Sequence, residues 1–148
     1  LVVGDGYHLE KYRQMARDSG ISQQTHFVGH CGDRQKVARY YNLAVCLAVP
    51  SDYESFSLVA VEAMASGLPV VASDIDALKN KITDGQEGFL FAKGSVRELA
   101  GALKKILSLS VEQRKEMGEK GRQKAEARYS WTKHMAKLES VYEEILGY

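Results

Sequence analysis

The sequence predicts an α/β fold in which a parallel sheet is wound on both faces by helices. Short apolar runs recur through residues 1–94, and each breaks off at a glycine- or proline-marked loop. Segments with apolar residues at helical spacing lie between them. From Ser95 onward the pattern is helical only. The organisation is thus one domain, large enough for a genuine core, with an α/β part over residues 1–94 and C-terminal helices over 95–148. The strand–helix alternation is that of a doubly wound, Rossmann-like sheet.

Taken in order, Leu1-Val2-Val3 is a strand that runs into the turn Gly4-Asp5-Gly6, and a helix follows from about His8 to Ser19. The glycine pair falls short of a dinucleotide-binding fingerprint, because Leu9 holds the third glycine position and no suitable acidic residue ends a following strand. Thr25 to Gly29 is a second strand, with His30-Cys31-Gly32-Asp33 as its exit loop. Asp33 to Tyr41 is an amphipathic helix whose Val37, Tyr40 and Tyr41 share one face, the tyrosines reading as core rather than as a stacking platform. Asn42 to Val49 is a buried strand that stops at Pro50-Ser51. Ser57 caps a helix over Leu58 to Ser66, Gly67 suits the position after its end, and Pro69 prevents continuation. Pro69 to Ala72 is then the next buried strand.

Ser95-x-x-Glu98 is a capping box, opening a helix lined on one face by Leu99, Ala102, Leu103, Ile106 and Leu107. Ser110 to Arg128 carries mixed charges and few apolar positions, the pattern of a solvated helix. Trp131, Met135, Leu138, Val141, Tyr142, Ile145 and Leu146 form the stripe of a last helix.

Composition excludes several classes. A formal net charge of +1 with 26% charged and 45% apolar residues fits neither a nucleic-acid-binding surface nor a disordered chain. No apolar run reaches membrane-spanning length and no signal-peptide pattern opens the chain. Cys31 and Cys46 are too few for a disulfide framework, and a reduced, cytoplasmic setting is expected. Metal-ligand spacing is absent from the scattered histidines and the two cysteines.

Chemistry concentrates between Pro50 and Glu62. Glu54 lies in the loop at the carboxyl end of a strand, and Glu62 lies in the second turn of the helix that follows. A helix N-terminus offers free N–H groups and a dipole that favour an anion, typically phosphate. An ionised Glu beside it accepts hydrogen bonds from hydroxyls. Phosphate and hydroxyl recognition in one loop suggest a sugar nucleotide. Glu62 taken singly fits equally well the solvated position that most helical glutamates occupy.

The string Pro50-Ser51 followed by Glu54-Ser55-Phe56-Ser57-Leu58-Val59-Ala60-Val61-Glu62-Ala63-Met64-Ala65-Ser66-Gly67-Leu68-Pro69-Val70-Val71 resembles the donor-site signature of retaining, GT-B-fold glycosyltransferases of family 4. In that family two glutamates have seven residues between them, and Ala-Met-Ala-x-Gly-x-Pro-Val-Val follows. The strand ending at Gly4 and Gly6, the Thr25–Gly29 segment, the turn Ile82-Thr83-Asp84-Gly85 and the final short strand Glu87–Phe91 are similar to the family as well. Asp74 to Lys79 departs from it, since the family usually has a glycine pair and Pro-Glu there.

The resemblance implies a glycosyltransferase donor domain that moves a sugar from a nucleotide-sugar to an acceptor with retention. It implies that Glu54, the catalytic-site candidate, contacts donor-sugar hydroxyls. The N–H groups of Phe56, Ser57 and Leu58, with Ser55 beside them, would face phosphates and sugar, and Glu62 would face the ribose. The loop His30, Cys31, Gly32 and Asp33 would surround the nucleobase, although a plain surface loop with Asp33 capping the next helix fits it equally. No cofactor or obligatory metal is implied.

The family's preceding strand, its basic Arg/Lys pair and its acceptor-binding N-terminal domain match nothing in this chain. We therefore expect a piece of a longer protein, inactive alone. The expected setting is cytoplasmic, with a place at the inner face of a membrane as the alternative for the full-length protein. Polysaccharide biosynthesis, a common role in the family, is the setting the resemblance implies. A non-catalytic nucleotide-sugar-binding or scaffolding module is the alternative. A GT-B phosphorylase or epimerase is disfavoured by the Glu54/Glu62 string, and a dehydrogenase ranks last. Base, sugar, acceptor and oligomeric state are not encoded in these residues.

Overall fold

The computed structural model describes residues 1–147. The chain forms two compact units, Leu1–Tyr40 and a second that begins at Tyr41. In the first unit, β1 (Val2–Val3), α1 (Leu9–Asp18), a 3-10 turn (Ser22–Gln24) and β2 (Phe27–Gly29) are followed by most of α2 (Arg34–Leu43). β1 and β2 pair in parallel, with Val2 N–H donating to the His26 carbonyl and Gly4 N–H to that of Gly29, both at 2.8 Å. Ala16 of α1 is buried and the Arg13 guanidinium sits over the Phe27 ring.

The second unit contains β3 (Leu47–Val49), α3 (Leu58–Ala65), β4 (Val70–Ser73), the one-turn α4 (Asp76–Lys79), β5 (Gly88–Phe91) and α5 (Val96–Ser108). Two longer helices follow, α6 (Val111–Tyr129) and α7 (Trp131–Leu146). Its strands form a parallel sheet in the order β3-β4-β5, with Leu47 opposite Val70 and Val70 opposite Gly88. Side chains alternate across the sheet. Val49, Val70 and Ala72 pack with Ala60, Ala63 and Met64 of α3 on one face. Val71 and Phe91 pack with Ala102 and Ile106 of α5 and Met117 of α6 on the other. Helices on both faces make this the doubly wound arrangement the sequence predicts.

Several expectations are corrected. The third strand starts at Leu47 rather than Asn42, because α2 continues through Leu43. Cys46 therefore precedes the strand; it is half-buried, and burial raises its thiol pKa against the opposing pull of Arg114. α6 is not merely solvated: Met117, Gly118, Gly121 and Ala125 are buried. A Cβ at Gly121 would be in ordinary contact with Met64. Arg122 donates to the Ser66 carbonyl at 3.3 Å.

The capping box falls on α6, where Ser110 Oγ accepts from Gln113 N–H and Gln113 Oε1 from Ser110 N–H. At Ser95 only half of the expected box forms, since the Glu98 carboxylate accepts from Ala92 N–H instead. Leu107 of α5 is exposed. The stripe of α7 is largely exposed, Trp131 at 75% and Ile145 at 73%. Among the described residues no helix is long and apolar enough to cross a membrane.

Candidate functional site

The loop between β3 and α3 carries the site. Pro50 ends the strand and the chain returns only at Leu58, so residues 50–57 project beyond the carboxyl end of a parallel strand, where open α/β sheets bind ligands. Glu54 is half-buried and its Oε1 accepts from Ser51 Oγ at 3.0 Å, a local bond that orients the carboxylate. Phe56 is 43% exposed, and Leu58, which opens α3, is also exposed. Ser55 is exposed.

Ser57 occupies the helix-start position that the sequence predicts, but it does not cap with its side chain. Its backbone is left-handed, φ 60° and ψ 73°, and it is the one non-glycine residue with positive φ among those described. Its hydroxyl is buried without a hydrogen-bond partner. The N–H groups of Phe56, Ser57 and Leu58 have no acceptor among the described residues. A left-handed residue beside free N–H groups at a helix N-terminus presents the donors and the partial positive charge that hold an anion.

The far end of α3 is closed by Gly67, φ 72°, with Gly67 N–H donating to Met64 and Leu68 N–H to Ala63, both at 2.9 Å. This Schellman closure ends the helix at Ala65 and turns the chain into β4. Between these ends, Glu62 is exposed and its Oε2 accepts from the Tyr41 hydroxyl at 3.2 Å. Burial first, and then the charge and hydrogen bond of Glu62, push the Tyr41 pKa up to about 12. Tyr41 is thus a partner of Glu62 where sequence reasoning placed only a core residue. Nothing local announces a contact between residues 21 positions apart.

The other candidates lie in the first unit. Gly4 and Gly6 end β1 as expected, but their N–H groups are engaged, Gly4 with the Gly29 carbonyl and Gly6 with Asp5 Oδ1 at 2.7 Å. Asp33 Oδ1 accepts from Gln35 N–H at 2.9 Å and Lys36 N–H at 3.2 Å, so its side chain caps α2. His30 and Gly32 are exposed and Cys31 is half-buried, its thiol 3.8 Å from the Asp33 carbonyl oxygen. Among the described residues no group of three or more His, Cys, Asp or Glu side chains is placed to hold a metal ion.

Comparison with known proteins bears on this geometry. The family profile of glycosyl transferases group 1 matches residues 1–124. D-inositol 3-phosphate glycosyltransferase of Corynebacterium aurimucosum is 35% identical over 93% of this chain and 32% of its own length. Phosphatidyl-myo-inositol mannosyltransferase of Mycobacterium leprae is 35% identical over 98% of this chain and 37% of its own. The chain thus spans about a third of the length of the relatives it matches. Among solved structures, sucrose-phosphate synthase from Thermosynechococcus elongatus superposes with a TM-score of 0.88 at 29% identity, over 98% of this chain and 38% of that one. Anabaena HepE in complex with UDP-glucose gives 0.87 at 22% identity, over 96% and 40%, a likeness of fold. This chain belongs to the glycosyl transferases of group 1, and its fold is that of part of a GT-B glycosyltransferase.

Proposed function

We propose that this chain supplies the donor side of a retaining glycosyltransferase, binding a nucleotide-sugar at the Pro50–Glu62 loop and helix. The observation that supports this most is the left-handed Ser57 among three unpaired N–H groups at the start of α3, flanked by Glu54 and Glu62. The N–H groups of Phe56, Ser57 and Leu58 take the donor phosphates, and the α3 dipole stabilises the negative charge that grows on the diphosphate as the glycosidic bond breaks. Glu54, oriented by Ser51, accepts from sugar hydroxyls, and Glu62, held by Tyr41, accepts from the ribose. The two carboxylates stand on successive parts of one loop–helix unit and act as hydroxyl acceptors, not as the acid and base of a glycosidase. In this reading a phosphate oxygen of the leaving group receives the acceptor proton on the face where the new bond forms, which retains configuration. Acceptor recognition is not assigned to these residues.

An NMR titration of the chain with UDP, GDP and ADP, each with and without an attached sugar, tests the reading. One nucleotide series should shift the amides of Phe56 to Leu58, with shifts unchanged by EDTA, since no metal is assigned a role. If no nucleotide moves those amides at millimolar concentration, the donor reading fails and a scaffolding module takes its place.

A further inference from the structure

Lys81 is a charged residue in an apolar place. It is 5% exposed and follows α4, between the buried Leu78 and Ile82. Its Nζ donates to the Ala77 carbonyl at 2.8 Å. The same ammonium lies 4.0 Å from the centre of the Phe56 ring and 5.8 Å from that of Tyr129, at the end of α6. The two rings meet edge to face, centroids 5.8 Å apart. An ammonium has three N–H donors. One reaches a carbonyl among the described residues, and the ring faces stand where further acceptors would be. Burial depresses the lysine pKa, while the negative charge of Glu54 opposes that shift.

Stability does not ask for this charge. A buried cation exchanged for an apolar side chain of similar length is often neutral or stabilising, provided no partner charge is left buried. Glu54, the carboxylate that Lys81 feels, is only half-buried. What the ammonium holds is the ring of Phe56, immediately before the left-handed Ser57.

We propose that Lys81 is a positioning residue of the donor loop. Seated on the Phe56 ring and beside Tyr129, which itself meets Phe56 edge to face, its ammonium fixes the Phe56 ring and thereby the N–H groups of Phe56, Ser57 and Leu58 in their anion-accepting arrangement. This role rests on the donor-site reading for its purpose, and on the Lys81–Phe56–Tyr129 geometry for its existence. A lysine retained for packing alone would be replaceable by methionine without effect on the loop.

The test measures backbone order by 15N relaxation on the unliganded chain, for the wild type and for Lys81→Met, Lys81→Arg and Phe56→Leu. Titration with UDP-glucose, GDP-mannose and ADP-glucose follows. In the wild type the amides of Phe56 to Leu58 should show rigid order parameters near about 0.85, falling below about 0.6 in Lys81→Met. Lys81→Arg should restore them, because a guanidinium also stacks on a ring. Core amides such as Val70 and Ile82 should not change. Whichever nucleotide-sugar binds the wild type should bind Lys81→Met roughly tenfold more weakly, the scale of one desolvated cation–π contact.

Wild-type order in the loop of Lys81→Met overturns the proposal, as does loosening that spreads equally to the core amides. If Lys81→Met does not fold, Phe56→Leu decides: it keeps the lysine and removes the ring face, and an unchanged loop there overturns the proposal. If the wild type binds none of UDP-glucose, GDP-mannose and ADP-glucose while the loop responds as described, the positioning role of Lys81 stands and the donor reading fails.

Discussion

Gly118 is the point at which α6 touches the end of α3 backbone to backbone. A Cβ there would lie 1.9 Å from the Gly67 carbonyl oxygen and 2.7 Å from its carbonyl carbon, where ordinary contact begins at 3.4 Å. Both sides are backbone, so Gly118→Ala must part the two segments by about 1.5 Å. That movement also strains the Arg122 bond to the Ser66 carbonyl and the packing of Gly121 on Met64. Overpacking of this kind costs about 1–3 kcal/mol. The upper end applies here because no flexible side chain can give way. Alanine recovers about 1 kcal/mol of helix propensity, leaving a net loss of about 2 kcal/mol.

For a chain of this length that loss lowers Tm by about 4–8 °C. Gly101→Ala is the control: Gly101 lies inside α5, and a Cβ added there would meet nothing within 4 Å, so this variant should gain about 1 kcal/mol and melt about 2–4 °C higher. Circular dichroism melts and urea titrations of both variants check the pair. Should Gly118→Ala melt at or above the wild type, the backbone contact is not what seats α6 on α3.

Three further outcomes are expected. The Tyr41 phenol, ordinarily ionising near 10.0, titrates near about 12 when folded, so its contribution to stability is complete below pH 10 and is lost as pH rises toward 12. Phenolate absorbance should show a late-titrating component that is lost in Tyr41→Phe and moves toward 10 in Glu62→Gln. Ser57→Gly relieves about 1–2 kcal/mol of left-handed strain against about 1 kcal/mol of added chain entropy, so urea denaturation should find it unchanged or slightly more stable, whereas the β-branched Ser57→Val should lose about 1–3 kcal/mol. Lys124→Met leaves the Glu87 carboxylate, 6% exposed and otherwise held by Thr83 N–H at 2.7 Å, without its cation at 3.1 Å; the loss should be about 3–5 kcal/mol, most of it recovered by adding Glu87→Gln in a double-mutant cycle.

The strands and the α3 punctuation were legible because glycine and proline act locally. Gly67 and Pro69 end α3 and start β4 by φ alone, whatever surrounds them. What escaped depends on partners distant in sequence. The mixed charges of α6 conceal a face made of Gly118, Gly121 and Ala125, residues with little hydrophobic weight of their own; their i, i+3, i+7 spacing was the available signal. Their value is that a small side chain allows close approach, and that is visible only once α3 is beside them. Lys81 and Tyr41 escaped for the same reason, since a lysine reads as solvated and a tyrosine as core until Phe56, Tyr129 and Glu62 are in place.

Ser57 joins the two kinds of information. Local propensity places a serine ahead of a helix as a side-chain cap, and that preference would put it in the extended region with its hydroxyl on an N–H group. Instead it is left-handed with the hydroxyl buried and unpartnered, a conformation that costs free energy on both counts. Such a residue persists only where its surroundings over-determine it. Here α3 is fixed at its C-terminal end by the Schellman closure and by α6, and from below by the sheet through Ala60, Ala63 and Met64. With the helix immobile, the loop has to meet it at Ser57. The unfavourable conformation leaves the N–H groups of Phe56, Ser57 and Leu58 without internal acceptors, and those are the groups a donor phosphate would use. On the proposed donor-site reading, stability held in the α3–α6 contact supports a strained loop whose compensation is a ligand. That reading predicts that Gly118→Ala weakens nucleotide binding as well as the fold, although Gly118 lies at the opposite end of α3 from Ser57.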